Sequence, residues 1–405
     1  MSAAGPLRRA LRFALLLGAL GAPFSGAAAK DSGQGFQVFI ASLWPDAQAR
    51  GVARATFDTA FEGVAFDPRV VARTKAQAEF VKPIWGYLAG AVSADRVARG
   101  EAKAAAEGTW LAKAKRAYGV DEGVVMGVWG LETDFGGFAG SDNVLRSLAS
   151  LAFVHYRGDY FRGELLAALA ILQEGDIGPR DMKGSWAGAM GQTQFMPSSF
   201  LDYAVDFNGD GRRDIWASPA DAIGSTANYL KAHGWIAGEP WGMEVRLPAG
   251  FALADADSSK LAPFGAFAAR GVRSADGGAL PSAGDAELLI PAGLGGPIFL
   301  VTANFGAIKT YNNSTSYALG VALLGDRIEG GGGLTARWPQ GTALSLAQMR
   351  DFQARLQKKG YDVGKIDGKL GESVRAAVRA WQTSLGLAPD GYPTPALYRR
   401  LTGKS

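Results

Sequence analysis

Val124-Val125-Met126-Gly127-Val128-Trp129-Gly130-Leu131-Glu132-Thr133-Asp134-Phe135-Gly136-Gly137 sets one carboxylic acid inside an apolar run. The spacing predicts a helix. At about 100° per residue, Val125, Val128 and Trp129 project close to the direction of Glu132. Asp134 falls roughly 160° away on the same wheel, so the two acids do not share a site while the helix persists. A carboxyl group among apolar side chains loses hydration, which favours its protonated form and raises its pKa. A general acid working near neutral pH needs that property. A buried glutamate held by an arginine or by backbone donors would show the same pattern, so the wheel leaves a structural and a catalytic reading open. Gly136-Gly137 is the expected end of the helix.

Composition narrows the setting. The chain has 405 residues, 48% of them hydrophobic, which suits two folded units with extensions. A net charge of +4 suits an anionic polymer. No dense Lys/Arg block with interleaved aromatics appears, so nucleic acid is the weaker partner. There is no cysteine, which excludes disulfides, thiolate nucleophiles and cysteine-ligated zinc. Arg8, Arg9 and Arg12, the apolar run Phe13 to Leu20 and the small residues Ala27-Ala28-Ala29 read as a signal peptide over residues 1–29. The run is short for a retained membrane anchor. No cysteine follows the cleavage site to carry a lipid. The expectation is a periplasmic, exported protein that is not lipid-anchored and has no later transmembrane segment.

Residues 35–117 read as mostly helical, with amphipathic stretches at Phe36 to Ile40 and Ala76 to Trp85 and a helix start at Ser93-Ala94-Asp95. Phe161 to Leu172 and Ser314 to Leu324 also read as helices. Met182 to Phe200 is a glycine-rich, proline-punctuated loop entering a helix. Glu244 to Leu247, Glu287 to Ile290 and Ile298 to Thr302 read as short strands. The fold class is mainly α (α+β): a helical domain over residues 30–329 with a small β insertion. A linker follows at 330–341, around Gly330 to Gly333 and Pro339-Gln340-Gly341. Residues 342–405 form a C-terminal three-helix bundle. Its signals are a capping box at Ser345 and Gln348, an apolar face at Leu346, Met349, Phe352 and Leu356, a second helix through Val374 and Trp381, and a third opening at Thr394-Pro395.

In Ser185-Trp186-Ala187-Gly188-Ala189-Met190-Gly191-Gln192-Thr193-Gln194-Phe195-Met196-Pro197-Ser198-Ser199 the small residues leave backbone uncovered. Ser185, Gln192 and Gln194 bring neutral hydrogen-bonding groups of the kind that recognise sugar hydroxyls and N-acetyl groups. A tight helix–loop packing site is the alternative. Asp206-Phe207-Asn208-Gly209-Asp210-Gly211-Arg212 opens like an EF-hand calcium loop, but position twelve is Ala217 rather than glutamate. A plain Asn/Asp/Gly turn is the alternative, and Asp221 also fits a capping box with Ser218. Gly364 to Lys369 lacks the spacing of a phosphate loop. His155 and His233 lack metal or triad spacing and read as structural.

Leu131-Glu132-Thr133 with Phe135-Gly136, Ala187-Gly188-Ala189-Met190-Gly191-Gln192 and Gln194-Phe195-Met196-Pro197-Ser198-Ser199 resembles the lytic transglycosylases of the membrane-bound B type. Tyr311-Asn312-Asn313-Ser314 through Tyr317 resembles that family's later tyrosine–asparagine segment, and the likeness covers roughly residues 35 to 328. The resemblance implies a lysozyme-like fold. It implies cleavage of peptidoglycan between N-acetylmuramic acid and N-acetylglucosamine by one glutamate, which maps onto Glu132. It places Ser185, Gln194, Tyr229, Tyr311 and Asn312 along the saccharide cleft, with Tyr317 and Arg157 as further substrate contacts. It also implies an atypical calcium loop of Asp206, Asn208, Asp210 and Arg212 closed by Asp221, although the spacing to Asp221 is one residue longer than the pattern. The glutamate chemistry requires no cofactor, so calcium would be structural. Leu356-Gln357, Gly360-Tyr361, Gly364, Asp367-Gly368, Gly371, Ala377-Val378, Trp381-Gln382 and Asp390-Gly391 resemble the three-helix peptidoglycan-binding domain of wall hydrolases. The implied partner is the peptidoglycan glycan strand.

Overall fold

A computed structural model describes residues 32–74, 83–253, 261–341 and 343–403. The expected signal peptide and most of the Ala76 to Trp85 stretch lie outside the described residues. The molecule is mostly helical, and four hydrophobic clusters organise the described residues. The first is built around the helix Glu122–Thr133, which packs against the helices Ala94–Tyr118, Pro219–Ala232 and Thr315–Ile328. The second gathers the helices Val144–Phe153 and Tyr160–Glu174 with the N-terminal helices and with Met190, Phe195 and Phe200. Tyr311 packs against both clusters.

The Glu122–Thr133 helix departs from the amphipathic expectation. Every residue from Gly123 to Trp129, and Gly130 after it, is buried, so the helix is enclosed on all sides rather than along a stripe. Its glycines make the enclosure possible. A Cβ on Gly127 would lie 2.1 Å from the carbonyl oxygen of Val321, and one on Gly325 would lie 2.3 Å from that of Gly123. The helix also ends earlier than expected. Asp134, not the glycine pair, is the C-cap residue, in the left-handed region at φ 52°. Its carboxylate is held by Arg96 at 3.2 Å and Arg99 at 2.9 Å, which makes the strained geometry tolerable for a non-glycine residue.

The predicted strands form at Gly242–Arg246, Asp285–Leu289 and Ile298–Val301, completed by Ala262–Pro263 and Arg273–Ser274 into a five-stranded antiparallel sheet. Ile298–Val301 is buried throughout because its two faces serve two cores. Phe299 and Val301 enter the first helical cluster, while Ile298 and Leu300 enter the sheet's own cluster. The helices at Tyr160–Glu174 and Thr315–Ile328 form as expected, with Ser314 accepting from the amide of Tyr317 as the cap of the latter.

The C-terminal helices Leu346–Lys358, Glu372–Ser384 and Pro395–Thr402 enclose Phe352, Leu356, Val378 and Trp381. The Ser345–Gln348 capping box is present. Buried Gln353 holds the glycine-rich turn by accepting from the Gly368 amide and donating to the Lys365 and Lys369 carbonyls. This unit is docked on the rest. Arg375 donates to the carbonyls of Ile290 and Pro291, both at 3.1 Å, and the amide of Leu294 donates to Asp390. Tyr392 meets Trp85 with ring centroids 6.4 Å apart. The connecting segment is also pinned, because the Glu244 carboxylate accepts from the amides of Thr335 and Ala336 at 2.7 and 2.8 Å. Among the described residues, no helix is long and apolar enough to cross a membrane.

Candidate active site

Glu132 projects from the last turn of its helix, where the two main clusters meet. Tyr317 Oη donates to Glu132 Oε1 at 2.6 Å. Tyr87, Tyr311 and Tyr317 all interact with the Glu132 charge, and the pKa of each is pushed up chiefly by burial, so each stays a neutral phenol. Glu132 itself is only partly open to solvent. Desolvation pushes its pKa up to about 7, against a smaller downward pull from the Tyr317 hydrogen bond. Asp134 is separated from this chemistry by its ion pairs with Arg99 and Arg96, which hold its carboxyl below the usual range.

The loop after Lys183–Gly184 is folded against the end of the Glu132 helix. The strand pair Asp142–Asn143 and Lys183–Gly184 ties the two segments together. Gln192 proves to be a structural tie rather than a free sugar ligand. It is 5% exposed, its Oε1 accepts from Trp129 Nε1 at 3.0 Å, and its Nε2 donates to the Trp216 carbonyl. Its backbone carbonyl accepts from Thr133 Oγ1 at 3.0 Å. Gln194 lies in the left-handed region at φ 52°. Its amide nitrogen donates to the Ala139 and Gly191 carbonyls, which leaves its side-chain oxygen as the group offered to a ligand. Ser185 Oγ accepts from the Ala189 amide at 3.1 Å and keeps its own hydrogen to donate.

Tyr229, Phe195 and Tyr311 form a ring cluster with the Tyr229 and Tyr311 centroids 4.7 Å apart. Tyr229 Oη donates to the Thr310 carbonyl and Tyr311 Oη to that of Thr193, both at 2.9 Å, fixing the phenols across the two clusters. Asn312 is the exposed C-cap residue of the Ala303–Tyr311 helix. Arg157 is exposed at φ 58°, its guanidinium 5.5 Å over the Tyr156 ring. No hydrogen bond or ring contact among the described residues joins Arg157 to Glu132 or Tyr317. Tyr87 is the residue that sequence reasoning missed. It comes from the short helix Ile84–Ala91, and only the packing of that helix on Thr315–Ile328 brings it to Glu132. His155 is exposed, and His233 caps the Pro219–Ala232 helix and stacks on Tyr229 at 3.9 Å.

The Asp206 loop is closed by Asp221 rather than by a capping box. Ser218 accepts from the Asp221 amide, but the fully buried Asp221 carboxylate turns inward and accepts from the amides of Phe207, Asn208 and Asp214. Asp206, Asp210 and Asp221 each offer a carboxylate oxygen, all within 4.8 Å of one another. Asn208 Oδ1 accepts from the Asp210 amide, and Asp206 accepts from the amides of Gly209, Asp210 and Gly211. Three converging carboxylates with an amide oxygen beside them form a hard-oxygen donor set, which fits calcium and not a thiophilic metal. Lys113 donates to the Phe207 carbonyl at 2.6 Å and brings a counter-charge that acts on Asp206.

The chain is similar to known proteins. Residues 35–326 match the family described as the transglycosylase SLT domain, and residues 345–401 match a putative peptidoglycan binding domain. The chain is similar to the membrane-bound lytic murein transglycosylase B of Escherichia coli K12, at 40% identity over 225 residues. That match covers 54% of this chain and spans 60% of the relative's length. Among solved structures, SltB3 from Pseudomonas aeruginosa in complex with NAG-anhNAM-pentapeptide is 49% identical, with a TM-score of 0.87 over 91% of this chain and 100% of that one. The Escherichia coli lytic transglycosylase SLT35 in complex with calcium is 32% identical, with a TM-score of 0.61 over 75% of this chain and 95% of that one. Since the match at residues 35–326 runs through both helical clusters, the five-stranded sheet and the Glu132 helix, the chain belongs to the transglycosylase SLT domain family.

Proposed function

We propose that the chain is a lytic transglycosylase that cleaves the β-1,4 bond between N-acetylmuramic acid and N-acetylglucosamine in peptidoglycan and leaves 1,6-anhydro ends. The observation that carries this reading is the Glu132 carboxyl, pushed up to about 7 by burial and held by a single phenol. Near neutral pH such a group holds a proton it can give and is a competent base once ionised. Glu132 protonates the glycosidic oxygen and the bond to C1 breaks. The substrate's N-acetyl group shields the cation-like C1. The ionised Glu132 then takes the proton of the muramic acid C6 hydroxyl as O6 bonds to C1, which returns the glutamate to its starting state. No water enters the balance. An ordinary glycosidase sets two carboxyls roughly 5 to 9.5 Å apart across the bond, whereas here the neighbouring acid, Asp134, is committed to Arg96 and Arg99.

Neutral groups around Glu132 suit an uncharged sugar. Gln194 offers an oxygen, Ser185 a hydroxyl hydrogen, Asn312 an exposed amide, and the rings of Tyr229 and Tyr311 a surface for pyranose faces. Tyr317 orients Glu132. Arg157 fits a more distant contact, such as a carboxylate of the stem peptide. Asp206, Asn208, Asp210 and Asp221, with the backbone of Arg212, would hold a structural calcium ion. Its charge would offset the three clustered carboxylates. The substrate lies outside the cytoplasmic membrane, so the reading requires export to the periplasm, in line with the basic and then apolar start at Arg8 to Leu20.

Mass spectrometry of muropeptides released from purified sacculi tests the reading. The expected products are anhydro ends, one water lighter than reducing ends, and none from Glu132→Gln. Reducing ends alone would mean a hydrolytic muramidase. No release by the wild type would leave a wall-binding protein without this activity.

A further inference from the structure

The helices that carry Glu132 and Tyr317 run antiparallel along a glycine-lined seam. Gly127 abuts the Val321 carbonyl and Gly325 abuts that of Gly123, with no side chain between the backbones at either point. Such a seam holds the helices close: Leu324 is keyed over Gly130 and Leu131 over Gly320, while Gly127 and Gly325 meet backbone alone. One hydrogen bond closes each end. At one end Tyr317 Oη meets Glu132 Oε1 at 2.6 Å. At the other, the carboxylate of Glu329, the residue that ends the Tyr317 helix, accepts from the amide of Gly123 at 2.9 Å. That amide belongs to the first turn of the Glu132 helix, whose donors have no partner within the helix. The carboxylate lies directly over Gly123, where a Cβ would come within 2.7 Å of Glu329 Cδ, so a larger residue there would push the carboxylate off the amide.

We infer that Glu329 is a positioning residue: by capping Gly123 it completes the axial register that Leu131 and Leu324 begin, and so tunes the Tyr317–Glu132 contact from the far end of the seam. The inference rests on the reading of Glu132 as the proton donor. The rise of an α-helix is about 1.5 Å per residue, and a hydrogen bond weakens over a few tenths of an ångström. A slip of a fraction of one residue is therefore enough to disengage the phenol. Asp326 lies near enough to both Glu329 and Asp121 for their charges to act on it, and it is itself held by Trp241 Nε1 at 3.0 Å. The positive end of the Glu132 helix offsets this gathering of acids.

The test is a 13C-carboxyl NMR titration of Glu132 in the full chain, assigned with Glu132→Gln. Tyr87, Tyr311 and Tyr317, the titratable groups that interact with Glu132, remain protonated through its titration. Glu329 is exposed, so its replacement removes no packed core. Glu329→Ala is expected to move the Glu132 midpoint upward, because the Tyr317 donation that lowers it is weakened. Removing a negative charge alone would move it downward. Glu329→Gln keeps an acceptor oxygen over Gly123 and is expected to leave the midpoint in place. In a Tyr317→Phe background, Glu329→Ala is expected to add nothing. An unmoved or lowered midpoint in Glu329→Ala, or an upward shift that persists without the Tyr317 hydroxyl, would overturn the assignment. The titration involves no turnover, so its outcome is independent of whether sacculi are cleaved.

Discussion

Glu132 combines two demands that pull against each other. Folding lifts its pKa from 4.5 to about 7, so the native state holds this proton more tightly than the unfolded chain does. Its contribution to stability is therefore complete below about pH 4.5 and is lost as pH rises to about 7. Above pH 7 the site carries a desolvated charge at a cost on the order of 2 kcal/mol, after discounting for the carboxyl's partial access to water. Glu132→Gln keeps an acceptor for Tyr317 but carries no charge. Urea unfolding is expected to show the variant gaining stability over the wild type at pH 8, with the gain shrinking at pH 5. An equal difference at both pH values would contradict a raised pKa. In the wild type, kcat/KM is expected to fall as pH rises through about 7, because the acid step needs the protonated form. A profile governed by a group near the ordinary glutamate value would remove that assignment.

At the level of elements, the tightest constraint is the seam between the Glu122–Thr133 and Thr315–Ile328 helices. Gly127→Ala is expected to cost more than about 2 kcal/mol, because its methyl group meets a backbone carbonyl that cannot rotate away. Thermal melting measures this, and an unchanged midpoint would show that the helices can part freely. The Asp206–Asp221 loop makes a separate prediction. Calcium is expected to raise the melting midpoint above that in EDTA, and Asp210→Asn, at an exposed position, is expected to remove most of that increment. A calcium-independent midpoint would leave the loop a plain hydrogen-bonded turn. Much of this level was legible in the sequence. Caps at Ser93, Ser314 and Ser345 and the strand at Ile298 follow from local chemistry that acts within a few residues. The Glu132 pattern identified the acid itself. What the sequence hid depends on partners far along the chain. The wheel gave the Glu132 helix an apolar stripe, although Thr315–Ile328 and its neighbours enclose it completely. Asp134 caps the helix in place of the glycines because Arg96 and Arg99 lie across from it. Gln192 looked like a sugar ligand until Trp129 and Trp216 were seen to take up its amide. Tyr87 carried no local signal at all.

The whole molecule joins the Glu132 domain to the C-terminal helices through polar contacts with backbone as well as through rings. The Arg375 guanidinium is desolvated enough that its pKa is lowered to about 10, and it serves two carbonyls of the segment before the Ile298 strand. Arg375→Ala leaves those carbonyls without their donor, at a cost of about 1–3 kcal/mol. Limited proteolysis is expected to cut faster in residues 330–341 of this variant, while the C-terminal helices keep their own packed core. Unchanged cleavage would mean that Asp390 and Tyr392 suffice to hold the unit.

Glu244 gives the connecting segment a different character from that of a leash. A loose connector lets an anchored catalyst sweep a sphere of substrate around its grip. Here Thr335 and Ala336 are fastened to one carboxylate and the helices beyond them are seated on the Glu132 domain. The distance from any wall grip on those helices to Glu132 is then a fixed length. On the proposed reading, a grip by those helices would make the protein a ruler laid on the sacculus, cutting at a set offset from where it holds.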